Sequence, residues 1–176
     1  MPHIGRNRRH DRESQVLLEG RQHLDRPEAA PGNKDGLHIR AASVAASLEA
    51  LGIKKVSVYA ATPEEVTQYT VRYLTDKGFD VRRHESLSFG HASEGFRISP
   101  WELYGEILNF YRRCPDVEAI FIAGGCFRTL EMLATLEKDL ELPVVTTVPA
   151  NMWHCLKIAG VKDPVYGFGQ LLEKPR

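Results

Sequence analysis

The spacing of apolar residues changes at about residue 40 of the chain. The opening segment is rich in Arg, His, Asp and Glu, and its one apolar cluster is Val16-Leu17-Leu18. A segment so poor in apolar residues buries too little surface to offset the entropy lost on ordering. From Ile39 onward, apolar residues recur at helical spacing or in short continuous runs. The pattern therefore predicts a polar, poorly ordered leader over residues 1–38 and a folded domain over residues 39–176.

Helical and extended patterns alternate within that domain. Ser99, Pro100 and Glu102 mark one helix start, because serine and glutamate at this spacing form a capping box and proline suits the first turn. Charged residues interrupt the second strand, which places it nearer an edge. Helices of this length between strands require crossover connections, which predicts a three-layer α/β/α lobe with a mainly parallel four-stranded sheet. The predicted helices are 41–51, 64–77, 99–114, 127–140 and 151–159, and the predicted strands are 55–60, 79–87, 119–123 and 143–147.

Charge and cysteine content narrow the class of partners. Lys plus Arg and Asp plus Glu each number 23, so no overall field favours nucleic acid or a membrane surface. The arginines at the start of the leader alternate with acidic residues, which favours a solvated segment over a nucleic-acid tail. No apolar run approaches the ~20 residues of a membrane helix. The cysteines are Cys114, Cys126 and Cys155. Their odd number and lack of a CxxC pair argue against a disulfide framework and predict a reducing cytoplasm.

The turn Gly124-Gly125-Cys126 is the strongest candidate for chemistry. It follows a buried strand, and ligands of parallel sheets collect beyond the carboxyl ends of the strands. Two glycines let backbone N–H groups approach a ligand, and a helix beginning at Phe127 would lower the pKa of the thiol. The turn would then supply a nucleophile, a proton-transfer base or a carboxylate pocket. The competing interpretation is a small residue that fills a tight strand–helix turn.

Hydroxyl groups follow two other strands. Thr146 and Thr147 end the last predicted strand, where they would either bind a carboxylate or complete the strand. Thr62 follows the first strand and would either bind a ligand or cap the helix beginning near Pro63. His91 is expected to be solvated in its loop, and His154 to be a packing or surface residue. No spacing typical of metal ligands occurs, so no metal site is predicted.

The order of several motifs resembles a known family. The segments are "LEALGIKKVSVYAATPEEV", "RISPWELY", "AIFIAGGCFRTLEMLATLEKDLELPVVTT", "PANMWHCLKIAG" and "YGFGQLL". From about Ile39 to Leu172 they resemble the second lobe of the aspartate/glutamate racemase superfamily, in its maleate isomerase and arylmalonate decarboxylase branch.

The resemblance implies a cofactor-independent isomerase, racemase or decarboxylase of a small carboxylic or dicarboxylic acid. Subunits of this family have two similar lobes, with the active site between them. A cysteine from each lobe, or its substitute, acts as acid and base at the α-carbon or attacks the substrate. It implies no metal or organic cofactor. In this chain the thiol would be Cys126, and the carboxylate pocket would comprise Gly124, Gly125, Thr62, Thr146 and Thr147.

Three departures from the family pattern leave a second interpretation open. The family sequence S-C-T-N-L-R-T-L aligns its cysteine with Gly124, so that Cys126 lies two residues later. The family's tyrosine aligns with Thr62, and the leader does not resemble a first lobe. The alternative is a truncated or degenerate, non-catalytic member that binds a small carboxylate or needs a partner lobe. Either interpretation predicts a homo-oligomer or a partner lobe. A flavodoxin-like or receiver-like regulatory domain also alternates strand and helix, but it is disfavoured because the acidic residues that a receiver carries after its first strand are absent.

Overall fold

The computed structural model describes residues 34–87 and 92–174. Residues Gly36–Arg176 belong to one compact unit. Strands and helices alternate along it, with one 3₁₀ helix at Ala92–Arg97. The strands are β1 (Lys55–Ala60), β2 (Asp80–Ser86), β3 (Ala119–Ala123) and β4 (Val144–Thr146). The helices are α1 (Lys34–Leu51), α2 (Glu64–Asp76), α3 (Pro100–Arg112), α4 (Leu133–Leu140), α5 (Thr147–Ile158) and α6 (Gln170–Glu173).

The four strands form one parallel sheet in the order β2-β1-β3-β4. The predicted α/β lobe with a parallel four-stranded sheet is therefore confirmed. β1 and β3 lie at the centre and consist almost wholly of buried residues, as expected of strands covered on both faces. β2 carries the charged residues and lies at an edge, as the sequence predicts.

Two apolar layers cover the two faces of the sheet. One layer joins α1, α2 and α5 to the sheet and includes Leu48, Leu74 and Trp153. The other joins α3 and α4 to the opposite face and includes Phe110 and Leu136. Alternate residues of each strand point to opposite faces, which divides the side chains of β1 and β3 between the two layers. This arrangement is the three-layer α/β/α lobe.

Two helix ends carry the local sequence features that predict a helix start or stop. Ser99 Oγ accepts a hydrogen bond from the Glu102 backbone N–H at 3.2 Å, and a Glu102 carboxylate oxygen accepts one from the Ser99 N–H at 2.8 Å. The predicted capping box at the start of α3 is thus present. Gly78 follows α2 with a φ of 87°, a conformation that glycine adopts without strain.

Several predicted boundaries are wrong. The predicted helix 127–140 begins at Leu133, and residues 124–132 form turns and irregular backbone instead. The predicted strand 143–147 comprises only Val144–Thr146. Thr147 is the first residue of α5, a helix that was predicted to begin at residue 151. α1 begins at Lys34, so the last residues of the predicted leader are helical. Residues 1–33, over which the rest of the leader was predicted, lie outside the described residues.

A buried carboxylate on α4 connects this helix to β4 and to α6. Glu137 of α4 accepts hydrogen bonds from the backbone N–H groups of Val144 and Gln170, both at 2.8 Å. These bonds fix the start of β4 and the start of α6 to the same side chain. Burial raises the pKa of the Glu137 carboxyl, and the two N–H donors oppose that shift. Glu137 is a structural group, because both of its oxygens are used within the fold.

None of the described helices is both long enough and apolar enough to cross a lipid bilayer.

We expect Glu137→Gln to lower the free energy of unfolding by about 2 kcal/mol, since the amide group would turn a donor toward one buried N–H group. Urea unfolding measures the change. Glu131→Gln is the matched control, because Glu131 is exposed and bonded to Arg128, and we expect a change within about 0.5 kcal/mol. Equal effects of the two substitutions would contradict the assignment.

Candidate active site

A cavity of about 230 Å³ opens at the carboxyl ends of β1 and β3. Its walls come from α1, the β1–α2 loop, α2, the turn after β3 and the first residue of α5. This is the position that the rule for parallel sheets predicts. Five of the six site residues predicted from the sequence line it: Cys126, Gly124, Gly125, Thr62 and Thr147.

The backbone at Gly124 requires glycine. Its φ is 120°, a conformation that side-chain-bearing residues rarely adopt. A Cβ atom at this position would lie 2.9 Å from the Cβ atom of Ala61. The two residues are close because β1 and β3 are neighbours, and the Ala61 N–H donates to the Ala123 carbonyl at 2.8 Å. Gly124 was aligned with the family's cysteine from the sequence, and the backbone conformation leaves no room for a thiol side chain at this position.

Thr147 holds the glycine turn in place. The Gly124 N–H donates to Thr147 Oγ1 at 3.1 Å. The expectation that this N–H faces a ligand is therefore wrong, because a donor already bonded within the fold is not directed at a ligand. A hydroxyl that accepts a hydrogen bond keeps its own hydrogen to donate. Thr147 thus brings one O–H donor to the cavity wall.

Thr146 lies outside the cavity lining, although the sequence suggested it as a carboxylate ligand. It is 1% exposed, and the Thr129 hydroxyl donates to its Oγ1 at 3.2 Å. This buried bond connects β4 to the irregular segment before α4. Thr146 therefore stabilises the segment after the glycine turn and does not itself reach the cavity.

Thr62 lines the cavity and forms a local hydrogen bond. Its hydroxyl lies 2.9 Å from that of Thr67, which in turn lies 3.3 Å from the Pro63 carbonyl oxygen. The residue that caps α2 is Pro63, without a side-chain cap, so the capping interpretation of Thr62 is wrong. Thr62 contributes a polar surface next to the glycine turn.

Cys126 is 8% exposed, and it lines the cavity beside Gly125. Burial raises the pKa of its thiol, and a hydrogen bond from its own backbone N–H opposes the shift. The sequence-based expectation of a lowered pKa is therefore wrong. The physical reason is that the predicted helix does not begin beside the thiol: α4 begins at Leu133, and desolvation by burial has the largest effect on the pKa. At neutral pH the group is a neutral thiol, which suits a proton donor.

Arg40 is a wall residue that the sequence analysis missed. It lies on α1 and lines the cavity together with Ala41 and Val44. The predicted helix began one residue after it, which left Arg40 outside the predicted helices and strands. The available signal was its spacing of four residues from Val44, since residues four apart share one face of a helix.

The remaining candidates lie elsewhere. His154 Nδ1 is 2.9 Å from Ser43 Oγ, and its ring stacks on Trp153, which agrees with a packing role. Cys155 is exposed on α5, and Cys114 is half-buried. His91 lies outside the described residues. Within residues 34–87 and 92–174, no group of three His, Cys, Asp or Glu side chains is placed to hold a metal ion.

A sequence model of the arylmalonate decarboxylase family matches residues 31–172, and the chain belongs to that family. It is 24% identical over 128 residues to an arylmalonate decarboxylase of Bordetella bronchiseptica, an alignment that covers 72% of this chain and 53% of that protein. It is 27% identical over 155 residues to a maleate isomerase of Pseudomonas putida, covering 86% and 62% respectively. The chain therefore spans between about half and two thirds of the length of these relatives.

Solved structures show the same fold. A maleate isomerase from Pseudomonas putida superposes with a TM-score of 0.70 at 26% identity, covering 76% of this chain and 54% of that chain. A mutant maleate cis-trans isomerase from Nocardia farcinica, with a covalently bound succinylcysteine intermediate, gives a TM-score of 0.68 at 20% identity, with the same coverage. These likenesses support this branch of the aspartate/glutamate racemase superfamily.

We expect Gly124→Ala to destabilise the fold by about 1–3 kcal/mol, because the new Cβ meets Ala61 in a strained backbone conformation. Gly125→Ala is the matched control, since a Cβ there meets nothing within 4 Å. Thermal unfolding of the two variants measures the difference. Equal losses would show that the contact with Ala61 does not constrain position 124.

We expect Cys126 to be alkylated half-maximally at a higher pH than an ordinary cysteine, because burial keeps its thiol protonated. Peptide mass mapping after pulses of iodoacetamide across a pH series measures the profile. The same protein in urea is the control, where Cys126 should behave as an ordinary thiol. A profile shifted to lower pH in the folded protein would contradict the stated role of burial.

Proposed function

We propose that the chain takes part in cofactor-independent decarboxylation or isomerisation of a small carboxylic acid, with the Cys126 thiol as the acid–base group. The observation that carries the proposal is the position of Cys126 in the cavity wall at the carboxyl ends of the central strands. Membership of a family that contains arylmalonate decarboxylase and maleate isomerase supports it.

The raised pKa of Cys126 favours proton donation over attack by a thiolate. In a decarboxylation, the bond between the α-carbon and one carboxylate breaks, and carbon dioxide leaves. The electron pair remains as an enediolate on the other carboxylate. The thiol then protonates the α-carbon, and the resulting thiolate regains its proton from water. The Thr147 O–H group is suited to stabilise the negative oxygen.

The alternative function is carboxylate binding without catalysis. It is favoured by Gly124, which stands at the family's cysteine position and whose backbone conformation excludes a side chain. In that case the cavity would keep its carboxylate-binding groups while the proton transfer is lost. The two functions differ in turnover and agree in ligand binding.

We also propose that a second copy of the chain or a partner lobe completes the cleft. Large apolar side chains are exposed in the segments that follow the glycine turn and Thr147: Leu130 is 42%, Val148 46% and Met152 54% exposed. Leu130 and Val148 line a shared surface hollow with Phe127. Burying such a surface favours association.

The decisive experiment follows phenylmalonate and maleate by NMR in deuterated water. Decarboxylation of phenylmalonate should place one deuteron on the α-carbon of phenylacetate. We expect Cys126→Ala to lower the rate at least about 100-fold, since that is the usual contribution of a positioned acid. Cys155→Ala is the matched control, because this thiol is exposed on α5 outside the cavity lining, and it should retain full activity.

Turnover that survives Cys126→Ala would remove Cys126 from proton transfer. Carboxylate binding without turnover by the unsubstituted protein would favour the non-catalytic alternative.

A further inference from the structure

The turn that carries Cys126 is attached to the end of β4 at two points. At the start of the turn, the Gly124 N–H group donates to Thr147 Oγ1 at 3.1 Å. Three residues after Cys126, the Thr129 hydroxyl donates to Thr146 Oγ1 at 3.2 Å. Thr146 and Thr147 are consecutive residues, so one short stretch of chain accepts a hydrogen bond from each side of Cys126.

Regular secondary structure does not fix the position of Cys126. Residues 124–132 form turns and irregular backbone, so neither a sheet ladder nor a helix holds this segment. Thr129 and Thr146 are 5% and 1% exposed, and a buried hydroxyl is costly unless it has a hydrogen-bond partner. A displacement of the segment away from β4 would break the bond between the two hydroxyls. The Thr129–Thr146 hydrogen bond therefore favours one position of the segment.

We propose that Thr129 and Thr146 are positioning residues for Cys126, whose hydrogen bond holds the thiol in the wall of the cavity. This inference rests on the proposed function for the role of Cys126 as the reacting group. Neither threonine lines the cavity, so both act through the turn rather than on a ligand. The contact between Gly124 and Ala61 fixes the chain before Cys126, and the Thr129–Thr146 bond fixes it afterwards.

Release of the segment would change the chemistry of the thiol in two ways. Cys126 is 8% exposed, and burial raises its pKa. Water would reach the sulfur atom of a released turn, so that the pKa would fall and alkylation would become faster. A displaced acid would also lower kcat more than it raises KM, because Thr147 keeps its own bond to the start of the turn.

The test uses Thr129→Val, which keeps the shape of the side chain and removes its O–H donor. We expect iodoacetamide to alkylate Cys126 about fivefold faster at pH 7, since the loss of one buried hydrogen bond shifts a conformational equilibrium by about this factor. The pH of half-maximal alkylation should fall toward that of an ordinary cysteine. Thr129→Ser retains the hydroxyl and should restore slow alkylation. Peptide mass mapping of the full chain measures each rate.

Two controls separate positioning from a general loss of stability. Unfolding would expose the half-buried Cys114 as well, so its alkylation rate should stay unchanged in Thr129→Val. Ser47→Ala is the matched variant, because Ser47 is buried in α1 outside the cavity lining and its hydroxyl donates to the Ser43 carbonyl at 2.7 Å. It should leave the alkylation of Cys126 unchanged.

A second variant applies if Thr129→Val does not fold. Thr129→Val combined with Thr146→Val replaces both partners of the bond by apolar groups, so no buried hydroxyl is left without a partner. This double variant should show the same fast alkylation of Cys126.

Slow alkylation of Cys126 in the valine variants would overturn the inference, as would fast alkylation that persists in Thr129→Ser. Equal acceleration at Cys114 would also overturn it, because it would indicate a loss of overall stability. Failure of the proposed function has a different signature: the variants would change the alkylation of Cys126 as expected, while the unsubstituted protein turned over neither phenylmalonate nor maleate. If turnover occurs, a raised KM at unchanged kcat in Thr129→Val would contradict the positioning role.

Discussion

The close parallel pairing of β1 and β3 is the constraint on which the rest of this protein depends. Both strands are buried on both faces, so their side chains are committed to the two apolar layers. Functional groups can therefore appear only where the strands end. There the Ala61 N–H group bonds to the Ala123 carbonyl, and the chain after β3 has room only for a glycine. Gly124 takes its conformation from this one restriction, and the turn that it begins carries Cys126.

The structure of the turn after β3 also affects the pKa of the Cys126 thiol. A cysteine at the first residue of a helix would face unpaired N–H groups, which stabilise a thiolate. In this chain the turn continues past Cys126, and the Thr129 hydroxyl is bonded to Thr146 beneath it. The helix starts only at Leu133, so burial dominates the pKa of the thiol. The thiol therefore stays protonated at neutral pH.

Local patterns predicted the elements that depend on local physics. β1 and β3 have the predicted bounds, 55–60 and 119–123, because continuous apolar runs are typical of buried parallel strands. The capping box of α3 is likewise a contact between near neighbours in sequence. The start of α4 was not predicted in this way: the residues before Leu133 form turns and irregular backbone, and one of them, Thr129, bonds to Thr146 of β4, a residue distant in sequence. Arg40 was missed as a lining residue because the predicted helix began one residue after it.

β4 has only three residues, so it spans roughly 10 Å. Glu137 binds one end of it together with the start of α6, and Thr147 follows the other end. We expect a strand as short as β4 to move as one rigid segment, so that a displacement of one end also displaces the other. The chain around Gln170, far from Thr147 in sequence, thus helps to fix the position of the Thr147 hydroxyl group in the cavity wall.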